Sequence, residues 1–393
     1  MSDTQFQLDA DALGTLLRDA RARPAASLPP DLRQRIEHRA PIGLDELALL
    51  WVTPALDTEA CLGLAAAARR RHPAPLETFA PLYMTNTCDA ECRMCGMRRD
   101  NAALARETVD LDTVEAQLRL LRARGMHGVA LLTGEYRRAT REWALELVNQ
   151  ALHRALALGF RHVLLNAGAF DREEYDALLA GVPRAADGAL ACDAQVTMCT
   201  FQETYAPVQY ARFMGGSADN PRADFRRRLT NCDRARDAGL RVANPGILVG
   251  LNPDLGYELL ALTQHARHLI ATGMQVYLSV PRLRQIAGSA NQRGADDASF
   301  LRLVALLSLA VPQGKIVLTT REPATIQRRL VPIISVLSAG SAAVAPYTAD
   351  GARFPLEASQ FEVIDQRRFE EVLGEHLPPG GRIVNFDPPS APA

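Results

Sequence analysis

Three cysteines lie close together in the segment TNTCDAECRMCG, with three and then two residues between successive thiols. Three thiolates at this spacing, from Cys88, Cys92 and Cys95, can converge on one iron–sulfur cluster. A [4Fe–4S] cluster normally takes four thiolates, so a set of three leaves one iron open to another ligand. The pattern therefore predicts a [4Fe–4S] cluster at which chemistry takes place.

Zinc binding and chance clustering are the alternatives for these cysteines. Structural zinc sites take four closed ligands. No further Cys or His pair with finger-like spacing follows, and His127 and Cys192 stand alone in the sequence. The cysteines outside the motif are expected to be plain buried or half-buried thiols. They are Cys61, Cys192, Cys199 and Cys232.

The open iron can be filled by S-adenosylmethionine (SAM), which binds through its amino and carboxylate groups. An electron from the cluster then breaks the sulfonium C–S bond and releases a 5′-deoxyadenosyl radical. Gly134 and Glu135 end the second predicted strand. A glycine there lets the backbone approach a ligand, and its carbonyls can accept from the SAM amino group.

Four further positions complete the expected cofactor contacts. Glu203, at the end of the fourth predicted strand, and Arg228, on the next helix, would hold the ammonium and carboxylate groups of SAM. Asn166 would hydrogen-bond the ribose, and Gly250 would let the fifth strand pass close to the adenine. Plainer alternatives exist for most of these residues. Gly134 could mark a simple turn, Glu203 and Arg228 could form a surface ion pair, and Gly250 could mark a bulge in the fifth strand.

From about residue 76, apolar runs of strand length alternate with helix-like stretches. Eight such alternations predict an α/β fold, a parallel (β/α)8 barrel of the TIM type, with each strand buried on both faces. The predicted strands cover residues 79–84, 128–133, 162–166, 195–201, 242–249, 275–280, 315–319 and 335–338. The predicted helices cover residues 111–124, 142–158, 223–238, 255–272 and 298–310. The cysteine loop follows the first strand, so it is expected on the C-terminal face, where barrel active sites lie.

Three regions are predicted along the chain. Residues 1–75, rich in Ala, Leu, Arg and Asp, are expected to form a helical N-terminal extension. Residues 76–345 would form the barrel, and residues 346–393 a short C-terminal extension that closes it. The Pro- and Gly-rich tail from Pro378 is expected to be extended along the surface or partly disordered.

The composition predicts a soluble, cytoplasmic protein. The formal net charge of −1 argues against a nucleic-acid or anionic-membrane surface. The longest apolar run, near residues 303–311, is too short to span a bilayer, and the acidic N-terminus lacks an apolar signal segment. Seven cysteines, an odd number, do not indicate a disulfide framework.

The chain resembles the radical SAM aromatic amino-acid lyases from about residue 77 to residue 368. The motifs that carry the resemblance are PLYMTNTCDAECRMC, LLTGEY, VTMCTFQETY, NPGILVGL, LSVPRLR, IVLTTREP, LSAGSAAVAPY and SQFEVIDQRR, in the order found in that family. They are closest to the tryptophan lyases of thiopeptide biosynthesis, which form 3-methyl-2-indolic acid. The tyrosine lyases of thiamine synthesis and hydrogenase maturation are more distant. The resemblance implies a radical SAM barrel with a [4Fe–4S] cluster and SAM as cofactors.

The resemblance also implies a free amino acid substrate, L-tryptophan, that loses a hydrogen from its amino nitrogen before its side chain fragments and rearranges. Arg321 matches the position that binds the substrate carboxylate, and Ser338 and Tyr83 match positions near the substrate. A guanidinium just past the seventh strand can clamp a carboxylate bidentately. Arg282, after the sixth strand, is the alternative clamp. The implied protein partner is an electron donor such as a flavodoxin or ferredoxin.

Two other functions stay open at this stage. One is a tyrosine lyase that yields dehydroglycine and p-cresol, and the other is a non-catalytic iron–sulfur protein that retains the cysteine loop. The chain has no cysteine after Cys232, so the second cluster of the hydrogenase-maturation lyases is not expected. Rearrangement and simple side-chain loss both begin at the amino nitrogen, so the motifs do not separate them.

Overall fold

A computed structural model describes residues 5–22, 29–54, 56–286, 294–355, 360–377 and 381–388. Its centre is an eight-stranded parallel sheet in which each strand pairs with the next along the chain. The strands are β1 (Ala80–Tyr83), β2 (Gly128–Leu132), β3 (His162–Asn166), β4 (Gln195–Glu203), β5 (Val242–Ile247), β6 (Gln275–Ser279), β7 (Lys315–Thr319) and β8 (Val336–Ser338).

Backbone hydrogen bonds bring the two edges of this sheet together. Glu77, just before β1, donates to the Ser335 carbonyl at 2.9 Å and accepts from the Leu337 amide at 2.9 Å. The sheet is therefore a nearly closed barrel, and the predicted α/β barrel is confirmed. Its strands are almost continuously buried, as expected when helices cover the outside and side chains fill the inside.

In the part of the chain that the structure describes, four helices precede the barrel. They are α1 (Ala10–Ala22), α2 (Pro30–Glu37), α3 (Leu44–Val52) and α4 (Thr58–Arg71). Among the same residues, nine helices lie between the first strand and the last. They are α5 (Leu111–Ala123), α6 (Glu142–Ala157), α7 (Arg172–Leu178), α8 (Pro207–Met214), α9 (Phe225–Leu229), α10 (Asn231–Asp237), α11 (Leu255–Ala271), α12 (Asp297–Ala310) and α13 (Ala324–Leu330). Asp110, Asp254 and Asp296 cap the first turns of α5, α11 and α12.

The helix expected over residues 223–238 is divided into α9 and α10 at Thr230. The Thr230 hydroxyl donates to the Arg226 carbonyl at 3.0 Å, a local bond that competes with the helical ladder. The next residue, Asn231, is turned to the barrel, where its side chain accepts from the Phe170 amide at 2.9 Å. The break therefore places Arg228 and Asn231 on separate short helices.

The N-terminal helices pack against the outside of α11 and α12. Arg302, on α12, donates to the carbonyls of Leu50 at 2.7 Å and Thr53 at 3.2 Å, at the end of α3. These carbonyls would otherwise lack helical partners. No helix among the described residues is both long and apolar enough to cross a membrane.

The chain after β8 covers both ends of the barrel. It forms a small hairpin of β9 (Tyr347–Thr348) and β10 (Gly351–Ala352), then α14 (Phe369–His376). Residues 381–388 lie under the barrel base, where Ile383 and Phe386 are buried and the Thr78 amide donates to the Val384 carbonyl at 3.0 Å. The expected position on the surface does not hold for Ile383 and Phe386, because their apolar side chains close the base, whereas residues 381, 382, 387 and 388 are exposed. The remaining tail positions lie outside the described residues.

Candidate active site

The three cysteines lie in the loop that joins β1 to α5. Cys92 and Cys95 are buried, and Cys88 is half-buried. The Cys88 sulfur accepts hydrogen bonds from the backbone amides of Ala90 at 3.4 Å and Glu135 at 3.3 Å. Amide donors stabilise a thiolate and tune a bound iron–sulfur cluster. The loop therefore offers Cys88 the surroundings of a cluster ligand.

The electrostatics of the cysteine loop depend on burial and on Arg222. Burial raises the pKa of all three thiols, and for Cys95 it raises the pKa to about 12. The positive charge of Arg222 acts in the opposite direction and lowers the pKa of each of the three thiols. Metal ligands must be thiolates, so cationic iron together with Arg222 would stabilise the deprotonated form.

A cavity of about 710 Å³, counted to its open mouth, lies between the cysteine loop and the ends of the neighbouring strands. We call it the outer cavity. All three cysteines line it, and so do five of the six residues expected to contact SAM. These five are Gly134, Glu135, Asn166, Glu203 and Arg228. Residues far apart in the sequence are thus brought to one space by the ends of β2, β3 and β4 and by α9.

Two carboxylates, Glu203 buried and Glu135 partly buried, form a network with two buried guanidiniums on one wall of this cavity. Arg222 contacts Glu203 at 2.9 Å and Glu135 at 3.3 Å, and Arg228 pairs with Glu135. Burial alone would raise the pKa of Glu135, but the two guanidiniums lower it. The network keeps full charges of both signs out of water, where they interact strongly with a charged ligand.

The backbone places Glu203 in this network through a bulge at the end of β4. The register with β5 shifts between Phe201 and Glu203, and Glu203 has a φ of 68°. A non-glycine residue in the left-handed region costs of order 1–3 kcal/mol and is frequent at functional sites. The turn directs the carboxylate into the cavity instead of along the strand.

The two predicted glycines have different surroundings. A Cβ on Gly134 would lie 2.1 Å from the Thr87 carbonyl oxygen and 2.7 Å from Cys88 Cβ. Only glycine therefore lets this loop pass against the cysteine loop. Gly250 does not line the outer cavity. It has a φ of 99° and lies against the backbone of Gly294, at a different cavity. The structure does not bring it to the other predicted contacts.

A second cavity, of about 700 Å³, lies inside the barrel below the first. We call it the inner cavity. Tyr83, Arg321 and Ser338, the three residues predicted to lie near the substrate, all line it. Five residues line both cavities. They are Asn166, Phe201, Pro281, Arg321 and Gln360. The two spaces are therefore adjacent, with Arg321 at their boundary.

The two candidate carboxylate clamps differ in their partners. Arg282 is buried against Glu322, with contacts of 3.0 and 2.9 Å, and also binds Asp297 at 2.6 Å. Among the described residues, Arg321 has no ion pair; its contacts are Tyr83 Oη at 3.3 Å and Gln360 Oε1 at 3.4 Å. Its guanidinium lies 4.8 Å from the centre of the Phe361 ring. Of these two clamps, only Arg321 has no protein carboxylate as a partner among the described residues, so its charge is available to a ligand carboxylate.

Sequence reasoning missed the part played by Gln360 and underrated that of Arg222. The Gln360 side chain accepts from Tyr83 Oη at 2.9 Å, and its carbonyl accepts from the Gly96 amide at 3.0 Å in the cysteine loop. Gln360 is the second residue of the motif SQFEVIDQRR, but nothing local in the sequence indicates that this segment returns to the barrel mouth. Arg222 follows the fourth strand, yet only the fold shows that it faces the cysteines.

The lining of the outer cavity fits an iron–sulfur cluster with an open iron. Three thiols and no other cysteine line that cavity among the described residues, and the amide donors at Cys88 suit a cluster sulfur ligand. A structural zinc ion would need a fourth closed protein ligand beside these three thiols.

Comparison with known proteins gives matches over most of the chain. The Biotin and Thiamin Synthesis associated domain (BATS) matches residues 279–375. The chain is similar to 2-iminoacetate synthase from Escherichia coli (strain K12), with 26% identity over 308 residues, 77% of this chain and 76% of the relative. The protein of the same name from Salmonella typhimurium is 25% identical over 309 residues, which again cover 77% of this chain and 76% of the relative.

Two solved structures share the fold. HydG, a maturase of the [FeFe]-hydrogenase, has a TM-score of 0.75 and 26% identity, over 93% of this chain and 77% of that chain. Methylornithine synthase (PylB) has a TM-score of 0.67 and 17% identity, over 88% of this chain and 94% of that chain. The chain is thus similar in sequence, at 25–26% identity, to the 2-iminoacetate synthases and HydG, and it shares its fold with PylB.

Proposed function

We propose that this protein is a radical SAM carbon–carbon lyase that acts on free L-tryptophan and converts it to 3-methyl-2-indolic acid. The two adjacent cavities carry the proposal. One collects the cysteines with the charged residues expected to bind SAM, and the other collects Tyr83, Arg321 and Ser338. The similarity to radical SAM proteins supports the reaction class, and the order of the sequence motifs supports tryptophan as the substrate.

In the outer cavity, Cys88, Cys92 and Cys95 would hold a [4Fe–4S] cluster. Together with SAM, that cluster would supply a 5′-deoxyadenosyl radical. Glu203 and Arg228 carry the charges that match the ammonium and carboxylate of SAM. Because both side chains are almost completely buried, these contacts would form away from bulk water. We expect a flavodoxin or ferredoxin to donate the electron.

In the inner cavity, Arg321 would bind the carboxylate of the amino acid. The guanidinium packs over the Phe361 ring and donates hydrogen bonds to Tyr83 and Gln360. Since Arg321 lines both cavities, a substrate bound to it would present its amino group near their boundary. Positioning errors of about 1 Å can cost roughly a hundredfold in rate, so this contact would decide which hydrogen faces the radical.

The proposal is tested by anaerobic reconstitution with iron and sulfide, followed by incubation with SAM, dithionite and L-tryptophan. We expect about four bound irons, 5′-deoxyadenosine, and 3-methyl-2-indolic acid identified by mass spectrometry. Cys92→Ala should lose the cluster and both products. Cys61→Ala removes a buried thiol of α4 that lines neither cavity and should retain them. A Cys92→Ala protein that keeps the cluster would contradict the assignment.

A tyrosine lyase is the second candidate, and the similarity to 2-iminoacetate synthases favours it. 2-Iminoacetate is another name for dehydroglycine, which a tyrosine lyase yields with p-cresol. A parallel reaction with L-tyrosine separates the candidates through their products. A non-catalytic iron–sulfur protein would give no 5′-deoxyadenosine with either amino acid.

A further inference from the structure

The polar groups of the inner cavity lie in two separate places. One group surrounds the boundary with the outer cavity and includes Tyr83, Arg321 and Ser338. The other consists of Cys199 on β4, Asn244 on β5 and Ser279 on β6. Apolar side chains make up much of the wall between and below them. These are Phe79, Ala130, Leu132, Leu164 and Val317.

The second group is a small hydrogen-bonded cluster. Asn244 and Ser279 exchange a hydrogen bond between the amide and the hydroxyl at 3.0 to 3.1 Å. The Cys199 thiol donates to Asn244 Oδ1 at 3.1 Å. All three side chains are at least 95% buried. The sequence predicted Cys199 to be a plain buried thiol, whereas it lies in the wall of a cavity and helps to orient Asn244.

The cluster keeps hydrogen-bonding capacity that the described residues do not use. A hydroxyl has one donor and two lone pairs, and a primary amide has two donors and two lone pairs. Asn244 Oδ1 accepts from both Ser279 and Cys199, so its two lone pairs are used; one N–H of Asn244 and one lone pair of Ser279 Oγ remain. A buried polar group without its partners costs free energy, so this wall suits an occupant that brings a polar atom to it.

The cluster lies deeper in the barrel than the carboxylate clamp. Ser279 pairs with Val317 on β7, four residues before Arg321, whereas Arg321 lines both cavities at their boundary. In the nearly closed sheet of eight strands, strands four apart face each other, so Asn244 on β5 faces Tyr83 on β1. An amino acid bound by its carboxylate to Arg321 would extend its side chain down through the apolar space toward Asn244 and Ser279.

From this geometry we infer that Asn244 and Ser279 form a subsite in which Ser279 Oγ, oriented by Asn244, accepts the hydrogen-bond donor on the ring of the substrate. The inference rests on the proposed function, since it assumes an amino acid bound to Arg321. It assigns recognition of the ring to named residues, which require an aromatic amino acid whose ring carries an N–H or O–H group. Tryptophan and tyrosine meet this requirement, and phenylalanine does not.

The first test compares amino acids that differ only in the ring donor. L-tryptophan is paired with L-benzothienylalanine, in which sulfur replaces the indole N–H, and L-tyrosine is paired with L-phenylalanine. Dissociation constants are measured by anaerobic calorimetry on the cluster-loaded enzyme with SAM. For the preferred amino acid, we expect the partner without the donor to bind about tenfold or more weakly, the effect of leaving buried polar groups unpaired.

The second test links this preference to the cluster. In Ser279→Ala, the preference for the ring donor should fall to within about twofold, because the accepting atom is gone. In Asn244→Ala it should also fall, because Ser279 Oγ loses the amide that orients it. Val317→Ala is the matched control: it enlarges the same cavity without changing a polar group. It should weaken binding of both members of a pair and leave their ratio unchanged.

The possible outcomes separate this inference from the proposed function. If tryptophan is converted but binds no better than benzothienylalanine, the subsite assignment alone is overturned. The same holds if Val317→Ala lowers the ratio as much as Asn244→Ala does. If the ring donor is preferred but no lyase product forms, the proposed function fails and the subsite stands. If no aromatic amino acid binds, both are wrong. The analogue comparison uses the unaltered enzyme, so it gives a result even where a variant does not fold.

Discussion

Charge is the main property of individual side chains in the outer cavity. Glu203, Arg222 and Arg228 are buried and Glu135 is partly buried, and each carboxylate has at least one guanidinium partner. Such a balanced set is stable in the absence of a ligand, yet it offers both signs of charge to a zwitterion. Removing one partner leaves an uncompensated buried charge, which is costly. Each substitution should therefore affect a charged ligand more than an apolar one.

Glu203→Gln and Arg228→Ala should weaken SAM binding more than they weaken cluster assembly. Each variant loses a charge-assisted contact worth on the order of 1.5–3 kcal/mol, which is about ten- to a hundredfold in the dissociation constant. Iron content and SAM affinity of the reconstituted proteins measure the two effects separately. Glu173→Gln, at an exposed carboxylate, is the control and should change neither. Parental SAM affinity in both site variants would mean that the pocket has been assigned wrongly.

Arg321→Ala should uncouple SAM cleavage from product formation. The cysteines and the carboxylate–guanidinium network are untouched in this variant, so 5′-deoxyadenosine should still form. The substrate would lose its fixed carboxylate, and product should fall by roughly a hundredfold or more. Arg321→Lys should restore little, because an ammonium is a point charge and not a planar fork.

The alternative clamp provides the comparison for that experiment. Arg282→Ala breaks a buried pair with Glu322, so it should lower the melting temperature, but the folded fraction should still bind the substrate carboxylate. The ratio of product to 5′-deoxyadenosine is the readout in both variants. Parental product from Arg321→Ala, together with loss of product from Arg282→Ala, would move the carboxylate clamp to the end of β6.

The cysteine loop is an element without regular secondary structure, and one arginine holds it together. Arg106 donates to the carbonyls of Asn86 at 2.8 Å, Met97 at 2.9 Å and Arg98 at 2.6 Å. These carbonyls lie on both sides of the three cysteines. The guanidinium therefore connects the start and the end of the loop, a geometry that five donors in a fixed plane make possible.

We expect Arg106→Ala to assemble the cluster and then lose it several-fold faster than the parent. The loop would lose contacts worth on the order of 1 kcal/mol or more in total. The decay of the cluster's visible absorbance after addition of a chelator measures this rate. Arg106→Lys should be nearly as labile, because a single ammonium cannot span the loop. Arg138→Ala, at a largely exposed side chain, should match the parent, and equal decay in all three variants would exclude a positioning role for Arg106.

The strands and the irregular loops differ in how far the sequence predicted them. Runs such as Gly128–Leu132 and Lys315–Thr319 agree with the predicted strands to within one residue, because apolar strands buried on both faces leave a local signal. The bulge at Glu203 leaves no local signal in the sequence. Its left-handed backbone is stabilised by an ion pair with Arg222, which lies outside β4. The misplaced expectation for Gly250 has the same origin: its neighbours come from the segment before α12, which is remote in sequence.

Over the whole molecule, the segments outside the barrel are attached through buried polar contacts. The Phe6 amide donates to Asp233 at 2.8 Å, and the Phe6 ring stacks on His265 with centroids 4.3 Å apart. Asp233 lies on α10, next to the short helix that carries Arg228. The N-terminal segment is thus fastened to the same helix pair that supplies a predicted SAM contact.

His265 should make this attachment sensitive to acid. Burial lowers the pKa of His265 to about 3, against about 6.5 in an unfolded chain. Its Nδ1 bonds the Tyr205 hydroxyl at 2.7 Å, and the charged groups nearby are Asp233 and His268. The unfolded state binds more protons as the pH falls below about 6.5, so stability is complete above that value and is lost below it. At pH 5 the loss from this residue is on the order of 2 kcal/mol.

His265→Gln removes the titrating group from this interface. The variant should be less stable than the parent at pH 7.5, because Gln cannot reproduce the stacking on Phe6, but its melting temperature should fall less between pH 7.5 and pH 5. Some acid sensitivity should persist, since burial also lowers the pKa of His162 to about 3. His38→Gln, at an exposed histidine, should show the parental fall. Thermal melting followed by circular dichroism at the two pH values measures the difference, and an unchanged pH dependence in His265→Gln would show that His265 does not contribute to it.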